Sequence, residues 1–158
     1  MADCTQEMCN LMLVGKARSN VFDGVKDLGG LVLRGIEQRS QIGFLSLFEH
    51  YENLEVGGFL KQPTYPIWVV CSESHYTVLL SLDPAMAGAP PASGGKFDLY
   101  YYDELAKQKE EIRLTVDCTH SGPAPKSDRD LEPPINECIR TKWGKHARID
   151  WNGVEPIL

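Results

Sequence analysis

No apolar run in this chain approaches the roughly 20 residues of a membrane-spanning helix, and its first residues lack the basic start and long apolar stretch of a secretory leader. Basic residues are also scarce, 16 against 22 acidic for a formal charge of −6, and no basic stripe is interleaved with aromatics. Neither a membrane nor nucleic acid is an expected partner, and a cytoplasmic or nuclear location follows. Five cysteines, an odd number at irregular spacing, do not form a disulfide framework and read as reduced thiols. No serine has the Gly-x-Ser-x-Gly surroundings of a hydrolase elbow. Ser93-Gly94-Gly95-Lys96 fails as a phosphate loop, because Phe97 replaces the needed hydroxyl residue and Pro90 stands where the first glycine belongs. Cys118 with His120, and Cys4 with Cys9, fall short of a zinc ligand set, so no metal and no cofactor is expected.

What is present suits one globular domain or a large piece of one: 158 residues, 42% hydrophobic. Thr5 and Gly15 bracket a helical pattern that reads as buried, and Leu31 to Leu33 follow turn-rich stretches as a short strand. Ser40 is placed to cap a second helix with Ile42, Phe44, Leu45, Leu47, Phe48 and Tyr51 on its apolar face. Four strands follow, about Ile67 to Cys71, His75 to Leu82, Phe97 to Asp103 and Glu111 to Asp117; their short spacing predicts an antiparallel meander. Proline-rich loops at 83–96 and 121–132 are expected to be exposed, the first of them mobile. Pro133-Pro134 opens a helix with Ile135, Cys138, Ile139 and Trp143 on one face, and Ala147 to Trp151 reads as a strand. The fold class is therefore α+β, a β-meander packed against helices.

His75 is the leading candidate for chemistry. It begins a strand after a polar break, and the alternation Tyr76, Val78, Leu80, Leu82 turns it away from the strongly apolar face. A rigid strand mouth is a suitable place for a general base. If the His75 and Phe97 strands are antiparallel neighbours, the start of one meets the end of the other, which is Asp103. Asp103 would then hold one ring nitrogen and leave the other for a nucleophile; alternatively, His75 caps a turn and Asp103 starts one. With no serine elbow, the nucleophile to seek is a thiol. Cys4, near a helix start, is the candidate favoured by electrostatics, although it sits almost at the chain end without an oxyanion-hole scaffold. Cys9 and Cys138 read as core, and Cys71 as packing at a strand end.

Several stretches carry a resemblance: Gly43-Phe44-Leu45-Ser46-Leu47-Phe48-Glu49-His50-Tyr51, Tyr65 to His75, Phe97-Asp98-Leu99-Tyr100-Tyr101-Tyr102-Asp103, Ile112-Arg113-Leu114-Thr115 and Cys138-Ile139-Arg140-Thr141-Lys142-Trp143. In these the chain resembles the MINDY family of deubiquitinating cysteine hydrolases, on the branch of its third and fourth members and closest to the fourth. The resemblance implies a papain-like half-domain. It also implies hydrolysis of isopeptide bonds in polyubiquitin chains of the proteasome-targeting lysine linkage, so ubiquitin and such chains are the expected partners. The family's histidine falls on His75. Its nucleophilic cysteine and oxyanion glutamine fall upstream of this sequence, so residues 1–158 read as one partial catalytic domain, inactive alone, and Cys4 does not inherit the role. Asp103 as orienter rests on geometry alone. The alternative is a non-catalytic ubiquitin-binding or regulatory module, since a base without a nucleophile forms no acyl intermediate.

Overall fold

Strands whose side chains alternate between two apolar faces need a cover on each side, and that requirement organises this molecule. The computed structural model describes residues 4–90, 94–122 and 132–156. Helix α1 (Gln6–Val14) is followed by a hairpin of β1 (Val25–Leu28) and β2 (Leu31–Arg34). Then come β3 (Gly43–Ser46), the short helices α2 (Leu47–His50) and α3 (Gly58–Lys61), β4 (Ile67–Ser72), β5 (His75–Leu80), β6 (Lys96–Tyr102), β7 (Ile112–Asp117), helix α4 (Pro134–Trp143) and β8 (Arg148–Asp150). Strands β3 to β8 form one sheet in sequence order; only the β3–β4 pair is parallel.

One sheet face carries Trp68, Val70, Leu79, Leu99, Tyr101, Leu114 and Val116, and α4 covers it with Ile135, Cys138, Ile139 and Trp143. Proline suits the start of α4, where its missing N–H would have no helical partner. Trp143 is the centre of the contact, its ring 5.1 Å from Trp68 and 5.5 Å from Phe97. On the other face Phe44 and Cys71 pack with Val21, Ile36, Val56 and Leu60. The architecture is α+β, with the expected antiparallel meander at its heart.

Three expectations are corrected. No helix starts at Ser40: residues Gly43–Ser46 are a fully buried strand paired with Trp68 to Cys71, and the helix is confined to Leu47–His50, where the Ser46 hydroxyl accepts from the Phe48 N–H at 3.2 Å. A short apolar run buried on both faces has no strand period to display, and so mimics a helix face. The Ser40 hydroxyl instead donates to the Phe59 carbonyl at 3.0 Å. Helix α1 has its Thr5 cap and a left-handed Gly15, but is not a buried helix. Met8, Leu11 and Met12 are more than half exposed, and its buried Asn10 anchors it by donating to the Arg18 and Asn20 carbonyls at 2.7 and 3.0 Å. The first proline-rich loop is not wholly exposed either. It begins with a 3-10 turn, Pro84–Ala87, whose Ala87 is buried, and the Lys142 ammonium donates to the Gly88 carbonyl at 2.8 Å. Residues 91–93 of that loop, including Ser93, and 123–131 of the second lie outside the described residues.

Gly43 lets β3 approach β4. A Cβ there would lie 2.5 Å from the Leu60 carbonyl oxygen and 2.7 Å from the Trp68 indole nitrogen. Gly43→Ala is expected to cost at least about 2 kcal/mol of stability by urea unfolding, whereas a loss under about 0.5 would contradict this packing. Lys142 makes a second test. Burial, with Lys61 and Arg39 adding repulsion, pushes its ammonium down to about 8 from the ordinary 10.5. The unfolded chain therefore binds more protons between those values, and stability rises with pH there. Relative to Lys142→Met, the native protein should gain stability between about pH 7 and about pH 10; a pH-independent difference in denaturation midpoint would refute the assignment.

Candidate active site

The β4–β5 hairpin turns through Glu73 and Ser74, with Ser72 paired to His75. Glu73 adopts a left-handed φ of 59°, and its carbonyl accepts a hydrogen bond from the Cys71 thiol at 3.1 Å. The turn thus fixes where β5 begins. From there alternation puts His75, Thr77 and Leu79 on the α4 face and Tyr76 on the other. This reverses the expected orientation of His75. Leu79 is fully buried under α4, whereas Leu82, in the set read from sequence as the apolar face, is 75% exposed.

Strand β6 runs antiparallel to β5 with Leu80 opposite Tyr100, Leu79 opposite Tyr101 and Val78 opposite Tyr102. The ladder ends there, and the next residue, Asp103, shares the face of Tyr101 and Leu99. The imidazole of His75 reaches it diagonally, with Nε2 at 2.9 Å from Oδ2. The histidine side chain is 34% exposed and that of Asp103 only 2%. The other carboxylate oxygen, Oδ1, accepts from the Leu105 and Ala106 N–H groups at 3.0 and 3.4 Å, and the Asp103 N–H donates to Gln108 Oε1 at 3.1 Å. Burial, with the Asp103 carboxylate alongside, pushes the Tyr101 phenol up to about 12. A carboxylate only accepts hydrogen bonds, so in the neutral ring Nε2 carries the proton and Nδ1 keeps its lone pair for a second partner. Such a ring, half-exposed and held from behind by a buried carboxylate, is equipped to take up and return a proton at Nδ1.

None of the five thiols meets it. Cys4 lies across the sheet: Tyr76, adjacent to His75 but pointing to the opposite face, donates its hydroxyl to the Cys4 carbonyl at 3.1 Å and accepts from the Cys9 thiol at 3.4 Å. The Cys4 and Cys9 sulfurs are 3.3 Å apart. Cys138 shares the His75 face but is fully buried, its sulfur 3.7 Å from the Ser72 hydroxyl, and burial pushes it up to about 12. Burial likewise pushes Cys9 up to about 11 and raises Cys71 and Cys118. At these four burial disfavours the thiolate that a nucleophile needs. Two further histidine–carboxylate pairs, His120 with Asp117 at 3.2 Å and His50 with Glu137 at 3.1 Å, are more open to solvent on the carboxylate side than the His75 pair. Among the described residues no group of three or more side chains suits a metal ion. Sequence reasoning passed over Gln108. Gln108 offered one signal, a neutral amide set between Lys107 and Lys109 in the turn 104–111.

A protein-family model described as "Deubiquitinating enzyme MINDY-3/4, conserved domain" matches residues 1–153. The chain belongs to the MINDY-3/4 family. It is 58% identical over 160 residues to the mouse protein named "Probable ubiquitin carboxyl-terminal hydrolase MINDY-4", and 55% identical to the human protein of that name; each match covers 98% of this chain and 21% of the relative. The fruit-fly MINDY-3 homolog is more distant, 42% identical over 62% of this chain and 18% of its own length. This MINDY-3/4 chain thus spans 21% of the length of its MINDY-4 relatives. No solved structure matches it.

The thiol assignments are testable by mass-resolved alkylation of the folded protein. Near pH 8, Cys138 and Cys9 should react at least about 100-fold more slowly than in the unfolded chain. Labelling of Cys138 at the unfolded rate would contradict its packing.

Proposed function

We propose that this region of the MINDY-3/4 family supplies the general base of a thiol-dependent deubiquitinase. It would act on isopeptide bonds in polyubiquitin chains of the proteasome-targeting lysine linkage, on a papain-like scaffold. The observation that carries the reading is the His75 imidazole bonded through Nε2 to a buried, fully engaged Asp103 carboxylate, with Nδ1 left as the basic nitrogen. The family relationship and the names of the relatives support the reaction class. The linkage preference rests on the resemblance of the sequence motifs.

In this reading a cysteine from outside these 158 residues comes to Nδ1. His75 takes the thiol proton; the thiolate attacks the isopeptide carbonyl, and the tetrahedral oxyanion forms. The imidazolium, steadied by Asp103, then gives its proton to the departing lysine amine as the carbon–nitrogen bond breaks. His75 next deprotonates the water that hydrolyses the thioester, and returns that proton to the cysteine. The Asp103 carboxylate holds the ring in one tautomer.

The test sets this chain within a longer protein, in place of its counterpart in a full-length MINDY-4 relative, with ubiquitin chains of defined linkage and a thiol-reactive ubiquitin electrophile. His75→Ala should lower kcat by at least about 100-fold, Asp103→Asn by about 10-fold or more, and the proteasome-targeting linkage should be cut at least about 10-fold faster than others. Retained turnover in His75→Ala removes it as the base. Electrophile capture at Cys4 would overturn the location of the nucleophile, and ubiquitin binding without hydrolysis or capture would establish the non-catalytic module instead.

A further inference from the structure

Asp103 lies one residue beyond the end of β6, so something other than the sheet must fix its backbone. The last β6–β7 pair is Tyr101 with Ile112, and the connection between them has no ladder partners. Its tip is exposed, Leu105 at 73%, and it passes through a left-handed Lys107 with φ of 51°. One side chain spans it. Gln108 Nε2 donates to the Tyr101 carbonyl at 3.0 Å and to the Glu110 carbonyl at 2.8 Å, while its Oε1 accepts from the Asp103 N–H at 3.1 Å. A single amide therefore ties both ends of the connection together and pins the amide group of the residue whose carboxylate holds His75.

Building on the proposed role of His75, we infer that Gln108 is a positioning residue for the reaction, acting through Asp103 on the imidazole. The chain of contacts runs without a gap, from the Gln108 amide to the Asp103 backbone and from the Asp103 carboxylate to Nε2. The Asp103 carboxylate also receives the Leu105 and Ala106 N–H groups of the same turn, so backbone and side chain are held by one local framework. Removing the amide strands two carbonyls and one N–H, and frees the Asp103 peptide to rotate. The carboxylate then swings off Nε2, the imidazole loses its fixed tautomer, and Nδ1 no longer stays aimed at an incoming thiol. The three hydrogen bonds of Gln108 all go to backbone at the ends of this connection, so the expected effect falls on kcat rather than KM.

Two variants separate this role from simple stability. Gln108→Met keeps the length and removes every hydrogen bond; Gln108→Glu keeps the acceptor for the Asp103 N–H but loses both donations. In the 158-residue chain, solvent exchange of the His75 Nε2 proton, followed by NMR, should quicken by about 10-fold or more in Gln108→Met and by less in Gln108→Glu. In the longer protein, kcat should fall on the order of 10-fold in Gln108→Met with KM held within about 2-fold. A native exchange rate and native kcat in Gln108→Met overturn the inference. If Gln108→Met does not fold, the same native values in Gln108→Glu overturn it. His75→Ala is the control for the underlying reading. Turnover surviving in that variant sinks the base assignment itself, whereas its loss alongside native Gln108 variants sinks only the positioning role.

Discussion

The pairing of β5 with β6 is the constraint on which the candidate site depends. Only three residue pairs are formed, Val78 to Leu80 against Tyr102 to Tyr100, yet they set the parity of everything beyond them. A slip of one residue would send Asp103 to the opposite face of the sheet from His75. What prevents the slip is burial: Leu79, Leu99 and Tyr101 must all face α4, where Ile135, Cys138, Ile139 and Trp143 wait. The site geometry is thus a by-product of core packing, and the His75–Asp103 bond gathers its precision from residues that take no part in chemistry.

The same sheet divides the chemistry of the molecule. The α4 face carries the imidazole and its carboxylate, and the opposite face carries Cys71, Tyr76 and, beneath α1, Cys9 and Cys4. Burial discourages thiolate formation at four of the five cysteines, and Cys4 is on the wrong side. The imidazole is bonded through Nε2 to Asp103, and no thiol is its hydrogen-bond partner among the described residues. The chain that carries this arrangement belongs to the MINDY-3/4 family and spans 21% of the length of its MINDY-4 relatives.

Much of this was legible in the sequence where period or punctuation was strong. The four central strands, the Pro133-Pro134 start of α4 and the Thr5 and Gly15 ends of α1 all carry local signals, and antiparallel logic alone brought Asp103 toward His75. What was not legible depended on distant partners. Gly43–Ser46 is buried on both faces and so shows no strand period. The more apolar alternation of β5, Tyr76, Val78 and Leu80, is not the one that α4 covers, and only α4, more than fifty residues on, decides that Leu79 rather than Leu80 is core. The hairpin strand Val25–Leu28 is exposed throughout and has no buried face to betray it. Gln108 was hard to see because its three hydrogen bonds all go to backbone, and a neutral amide between two lysines is a faint sign of them.

The central claim is that Asp103 holds His75 with its proton on Nε2 and leaves Nδ1 as the base. The most direct measurement is the nitrogen-15 NMR spectrum of the His75 ring in its neutral form. The account predicts a protonated Nε2 and a bare Nδ1, with the Nε2 proton bonded to the Asp103 carboxylate. A ring protonated on Nδ1, or one averaging freely between the two tautomers, would contradict it.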